Sequence, residues 1–138
     1  MNATARCRVL VIDDDTDVRE STAMVIRLLG HDVFTAPDGK SGVEAVRTFL
    51  PELVLLDVGL PDADGYDVAR WIRAEQTGRH TLLAAMTGWV GDDDRSAADD
   101  AGFDLHLPKP VDLQTLRALI ARAASGGGNH DAPISTSA

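Results

Sequence analysis

Four short runs, RVLVI (residues 8–12), ELVLL (52–56), TLLAAM (81–86) and FDLHL (103–107), are nearly continuous in apolar residues instead of alternating with polar ones. A strand with one wet face alternates, whereas a strand covered on both faces does not, so these runs call for a parallel sheet enclosed by helices. A weaker strand candidate, HDVFTA (31–36), follows Gly30. Helical spacing fills the intervals. Val18, Thr22, Val25 and Leu29 form one stripe that Gly30 terminates as the residue past the C-cap. Ser41 and Glu44 fit a capping box ahead of Val43, Val46 and Leu50, with Pro51 as the stop. Val68, Trp71 and Ile72 mark a third helix after the PDADG turn, whose Gly65 would permit positive φ. Asp112 can cap a last helix that turns Leu113, Leu116, Leu119 and Ile120 inward. Between them, residues 91–101 (GDDDRSAADDA) carry only alanine as apolar side chain, so a helix there would be held weakly.

Strands and helices alternating in this way predict an α/β fold: a five-stranded doubly wound parallel sheet of flavodoxin-like order 2-1-3-4-5, flanked by five helices. With 138 residues the chain has the size of one domain. No apolar run approaches the roughly 20 residues that cross a bilayer, and the first ten residues lack a signal peptide's apolar stretch, so a cytoplasmic protein with no membrane partner is expected. The lone Cys7 excludes an internal disulfide and fits a reducing compartment. A formal charge of −9 argues against binding nucleic acid through its phosphates and favours cations and basic partners. After Ala124, the segment SGGGNHDAPISTSA (125–138) has the composition of a solvated tail.

In open sheets of this kind ligands gather at the C-terminal ends of the strands. The residues placed there are Asp13, Asp14 and Asp15 after the first strand, Asp57 after the third, Thr87 after the fourth, and Lys109 just beyond the fifth. Two carboxylates about 5 Å apart repel by roughly 3 kcal/mol at an effective dielectric near 20, so the cluster needs a cation. Carboxylate oxygens suit Mg²⁺, which keeps room for water and for a phosphate oxygen. Asp15 fits a helix cap better than a ligand, and Asp92, Asp93 and Asp94, which follow no strand directly, fit a solvated helix start. Trp89, two positions past Thr87, is expected to shelter the crevice and limit the access of water. His31, His80 and His130 fall in predicted turns or tail and are expected to face solvent.

The segments IDDD (12–15), LLDVGLPDADG (55–65), MTG (86–88) and LPKP (107–110), with 43 positions from Asp14 to Asp57 and 22 from Thr87 to Lys109, resemble the receiver domain of two-component response regulators. The resemblance covers residues 8 to about 122, which makes 1–124 the receiver domain and 125–138 a flexible C-terminal tail. It implies that Asp57 is the phosphoacceptor. It further implies that Asp13, Asp14, Asp57 and the backbone carbonyl of Gly59 hold Mg²⁺, that Lys109 and Thr87 contact the phosphoryl group, and that the Lys109–Pro110 bond is cis. Many members carry Tyr or Phe where this chain has His106, so Thr87 is the clearer switch residue and His106 a smaller, titratable counterpart. The implied function is a phosphoryl-accepting switch of a two-component system or phosphorelay. A histidine kinase or histidine phosphotransfer protein would be the donor, and a protein effector would lie downstream. With no DNA-binding output segment expected after the last helix, the chain would act as a monomer or a phosphorylation-dependent dimer. It would be no enzyme beyond catalysing its own phosphorylation and dephosphorylation.

Three other readings fit less well. A Mg²⁺-dependent aspartyl phosphatase of haloacid dehalogenase type needs a general acid two residues past its nucleophile, where this chain has Gly59. A flavodoxin-like cofactor domain would cradle phosphate in its first loop, which DDDTD would repel. A receiver-like interaction module that is never phosphorylated would not need the full set of Asp57, Thr87 and Lys109.

Overall fold

The structure is a computed structural model that describes residues 6–60, 64–75, 80–87, 102–109 and 111–124. Its elements run β1 (Arg8–Ile12), α1 (Thr16–Leu28), β2 (Asp32–Ala36), α2 (Gly39–Phe49), β3 (Leu53–Asp57), α3 (Gly65–Ala74), β4 (Leu82–Thr87), β5 (Leu105–Pro108) and α4 (Leu113–Ala124). The five strands form one sheet in the order β2-β1-β3-β4-β5, with every neighbouring pair parallel. This is the predicted topology. The fifth helix expected within 91–101 lies outside the described residues, as do Trp89, Pro110, His130 and the segment 125–138.

Alternate residues of each strand feed opposite faces of the sheet. Leu10, Ile12, Val54, Leu56, Leu83 and Ala85 pack under α2 and α3 against Val43, Val46, Val68 and Ile72. Val9, Val11, Leu53, Leu55, Ala84 and Met86 pack under α1 and α4 against Ile26, Leu116, Leu119 and Ile120. Full burial of such a Leu, Ile or Val contributes about 1.5–3 kcal/mol over exposure, which explains why the central strands tolerate no alternation.

Several helix faces differ from the sequence expectation. In α1 the fully buried side chains are Ala23 and Ile26, while Val18, Thr22, Val25 and Leu29 lie half-buried beside them. Helix α1 ends in a Schellman motif, with the Gly30 N–H on the Arg27 carbonyl (2.9 Å) and the His31 N–H on that of Ile26 (3.2 Å), and Gly30 has φ 93° as expected. Helix α2 is capped by Asp38, not Ser41: the Asp38 carboxylate accepts the Ser41 N–H (2.8 Å) and hydroxyl (2.6 Å), and Leu50 is exposed. Trp71 and Leu113 also face solvent, while Ala69 and Ala123 on the same helices are buried. Asp112 accepts the Thr115 N–H at 2.7 Å, as predicted. His31 is half-buried, and its Nδ1 accepts the Cys7 N–H at 3.1 Å, so it is not a free turn residue.

Two adjustments bear on the site. Strands β3 and β4 run one residue further than the apolar runs suggest, so Asp57 and Thr87 end their strands instead of following them, with Asp57 paired to Met86 and Thr87 to Pro108. Gly65 opens α3 without positive φ, which among the described residues occurs only at Gly30, Leu50 and Gly102. What Gly65 provides is proximity: a Cβ there would lie 2.3 Å from the Val58 Cα, and its N–H donates to the Val58 carbonyl at 3.2 Å. The start of α3 is thereby docked on the turn that follows Asp57.

Candidate functional site at the strand ends

The turn after β1 is fixed from several sides. The Asp13 N–H extends the sheet ladder to the Ala36 carbonyl at 3.1 Å. Its Oδ1 accepts the Asp15 N–H at 2.9 Å, and the Asp15 carboxylate in turn caps α1 by accepting the Val18 N–H at 3.2 Å. Asp15 is thus the cap expected of it. The Asp13 carbonyl accepts from Arg19 Nη1 at 2.9 Å. Asp13 is fully buried, whereas Asp14, the next residue, is exposed.

Asp57 stands on the adjacent central strand, with 7% of its surface exposed. Its Oδ1 accepts the Gly59 N–H at 3.0 Å, and its Oδ2 lies 3.3 Å from Lys109 Nζ. The same ammonium lies 3.1 Å from Asp13 Oδ2, an ion pair that falls off hydrogen-bond alignment and leaves that oxygen without an aligned donor among the described residues. Burial raises the Asp13 carboxyl above its ordinary range, only partly offset by the Asp15 N–H and by Lys109. Burial works in the opposite sense on Lys109, but the flanking Asp13 and Asp57 outweigh it and hold its ammonium above the ordinary lysine value.

One carboxylate oxygen from each of Asp13, Asp14 and Asp57 can be chosen so that all three lie within 4.8 Å of one another. Three hard oxygen donors on two adjacent strand ends, one of them open to solvent, suit a hexacoordinate divalent ion that retains water. The buried Asp13 Oδ2 with no aligned donor is the observation that such an ion would satisfy, so the donor set fits Mg²⁺.

Thr87 closes β4 as a half-buried residue on the same sheet face as Ala85. His106 is register partner to Ala85 and shares that face, with its ring centroid 6.5 Å from that of Phe103. Its Nε2 is buried and has no hydrogen-bond partner among the described residues. The strand ends thus bring Asp13, Asp14, Asp57 and Lys109 into one cluster with Gly59 at its edge. Thr87 and His106 sit on the neighbouring strands β4 and β5, Thr87 at the strand end and His106 against Phe103.

Sequence reasoning passed over Arg19. It is the only basic residue between Asp13 and Ile26, two positions past the last of Asp13, Asp14, Asp15 and Asp17, and that isolation was the available signal.

Comparison with known proteins agrees with this geometry. Residues 9–121 match the family model described as the response regulator receiver domain. Curated relatives include response regulator MprA of Mycolicibacterium vanbaalenii (37% identity over 88% of this chain and 53% of the relative). Another is the probable transcriptional regulatory protein TcrX of Mycobacterium tuberculosis (39% identity over 83% and 50%). The chain therefore spans about half the length of these relatives. It spans 92% of an uncharacterized 14.6 kDa protein of Leptolyngbya boryana, at 32% identity over 87% of this chain. Among solved structures, a CheY-like receiver domain protein from Methanospirillum hungatei JF-1 superposes with TM-score 0.81 at 23% identity, over 92% of this chain and 99% of that one. The receiver domain of sensor histidine kinase PA1611 from Pseudomonas aeruginosa PAO1, solved with a magnesium ion coordinated in its active site cleft, superposes with TM-score 0.79 at 28% identity, over 88% and 99%. With sheet order, acidic cluster and family match in agreement, the chain belongs to the response regulator receiver domain family.

Proposed function

We propose that this receiver is a phosphoryl-accepting switch in which Asp57 is the acceptor and Asp13, Asp14, Asp57 and the Gly59 carbonyl hold Mg²⁺. The single observation that carries the proposal is the Lys109 ammonium set between the buried carboxylates of Asp13 and Asp57, at 3.1 and 3.3 Å. A cation so placed can pass from carboxylates to a phosphoryl oxygen with little movement.

In the reaction an Asp57 carboxylate oxygen bonds to phosphorus as the donor's P–N or P–O bond breaks; the leaving group takes that electron pair, an imidazole also taking a proton from solvent and a carboxylate leaving as the anion. When bound, Mg²⁺ supplies charge neutralisation for the acceptor carboxylate and the incoming phosphoryl oxygens. Lys109 pairs with one phosphoryl oxygen, and the Thr87 hydroxyl donates to another. The Gly59 N–H on Asp57 Oδ1 orients the acceptor before the donor arrives. Gly59 also lacks the acid that a phosphatase of haloacid dehalogenase type would need at its position, which favours transfer and storage over turnover.

A histidine kinase or histidine phosphotransfer protein is the proposed donor, as the response regulator family implies. Output would pass through protein contacts, by a shift around Thr87 with His106 as its neighbour on β5. Incubation with Mg²⁺ and acetyl phosphate, followed by intact-mass measurement, tests the acceptor. One phosphoryl adduct on the wild type and none on Asp57→Asn is expected, and an equal adduct on both would refute the assignment.

A further inference from the structure

Arg19 is the fourth residue of α1, one turn from the helix N-terminus, where the macrodipole disfavours a cation. An exposed arginine at such a position would turn away into solvent. This one does the reverse: its side chain is only 14% exposed and folds back so that Nη1 donates to the Asp13 carbonyl at 2.9 Å. Its other close charge is Glu20, whose Oε2 lies 3.9 Å from Nε.

The contact completes the hold on Asp13. The N–H of that residue is tied to β2 through Ala36, its Oδ1 to the Asp15 N–H, and its Oδ2 to the Lys109 ion pair. Only the carbonyl remains, and it sits where the chain leaves the sheet and turns into the segment that carries Asp14. Arg19 ties that carbonyl to α1. The carboxylate geometry of Asp13 and Asp14 is thereby referred to two rigid elements, a strand on one side and a helix on the other.

We propose that Arg19 is a positioning residue for the divalent-cation site, holding the β1–α1 turn so that the carboxylates of Asp13 and Asp14 are preorganised. The inference rests on the reading of Asp13, Asp14 and Asp57 as Mg²⁺ ligands. It carries a sign that separates it from simple electrostatics. A positive charge beside a cation site repels the cation, so if Arg19 acted only as a charge, neutralising it would tighten Mg²⁺ binding. If Arg19 positions the turn, neutralising it loosens the ligands and weakens binding despite the relieved repulsion.

The test compares wild type, Arg19→Gln, Arg19→Lys and, as a control on the exposed end of the same helix, Arg27→Gln. Calorimetric titration with Mg²⁺ and backbone amide exchange at Asp15 without metal are the two readouts. Arg19→Gln should weaken Mg²⁺ about 10-fold, the lower end of what loss of a ligand-supporting partner costs, and should speed exchange of the Asp15 N–H that Asp13 Oδ1 accepts. Arg19→Lys, which keeps the charge without the guanidinium fork, should fall between, and Arg27→Gln should match wild type. Unchanged or tighter Mg²⁺ binding by Arg19→Gln would overturn the proposal. Should Arg19→Gln fail to fold, Arg19→Lys decides alone, and wild-type affinity and exchange there would overturn it. Absence of Mg²⁺ uptake by the wild type itself would count against the proposed function. Asp15 exchange would still judge Arg19, because an unaltered rate in the variant contradicts any positioning role.

Discussion

Lys109 Nζ lies 3.1 Å from Oδ2 of Asp13, a residue with no exposed surface, and this pairing sets what the crevice can tolerate when no cation is bound. Burial raises the Asp13 carboxyl and opposes the Lys109 charge; the Asp57 charge also works against ionised Asp13, so Asp13 depends on Lys109 to stay ionised, while Lys109 is held charged by Asp13 and Asp57 together. Such an arrangement is costly as pure architecture. It is economical only if the carboxylates have an ion to hold and the ammonium has an anion to meet.

Replacing Lys109 with Met removes the counter-charge while keeping much of the side-chain bulk. Breaking a fully enclosed pair costs about 3–5 kcal/mol, and because Lys109 is partly exposed a loss of about 2 kcal/mol is expected in urea unfolding without divalent ions. Saturating Mg²⁺ should recover most of it, since the ion takes over the neutralisation of Asp13 and Asp57. Equal losses with and without Mg²⁺ would show that the ion does not occupy this cluster.

Gly65→Ala tests the docking of α3 on the turn after Asp57. With the new Cβ 2.3 Å from the Val58 backbone, one of the two segments must move, at a cost of about 1–3 kcal/mol. Because Val58 and Gly59 follow the acceptor directly, Mg²⁺ affinity should fall as well. Gly42→Ala, whose Cβ would press on the Ile12 side chain instead of on this turn, should destabilise with a smaller effect on Mg²⁺.

Cys7 is fully buried, and burial followed by the Glu52 charge pushes its thiol up to about 12. Iodoacetamide at pH 8 should leave the folded protein unmodified and label it fully in urea. The folded value lies above the ordinary value of 9.0, so the neutral thiol is favoured by folding. Its stabilisation is intact below pH 9 and is lost as pH rises from 9 toward 12. Rapid labelling under native conditions would contradict this packing of the β1 entry.

The topology was legible because the central strands are buried on both sides, and nothing but continuous apolar runs satisfies that position. The strand-end positions of Asp13, Asp14, Asp57, Thr87 and Lys109 were legible because each follows or closes an apolar run in a parallel sheet. Helix faces were less so. Ala23, Ala69 and Ala123 carry too little hydrophobic signal to outvote Val18, Trp71 and Leu113, yet small side chains are what close approach to the sheet selects. Strand β5 begins two residues later than its apolar run because Asp104 leaves the strand pattern. Its carboxylate accepts the Leu83 N–H at 2.9 Å and pairs with Arg73 at 2.8 Å, a contact between distant segments that local pattern does not encode. Arg19 was hidden for the same reason: its partner is a backbone carbonyl, which no residue type announces.

The most direct test of the account is to treat the protein with acetyl phosphate and Mg²⁺, trap any acyl phosphate with borohydride, and map the reduced residue by peptide mass spectrometry. The account predicts reduction at Asp57 alone, dependent on Mg²⁺ and lost in Asp13→Asn. Trapping at another carboxylate, or at Asp57 in equal yield with chelator present, would contradict it.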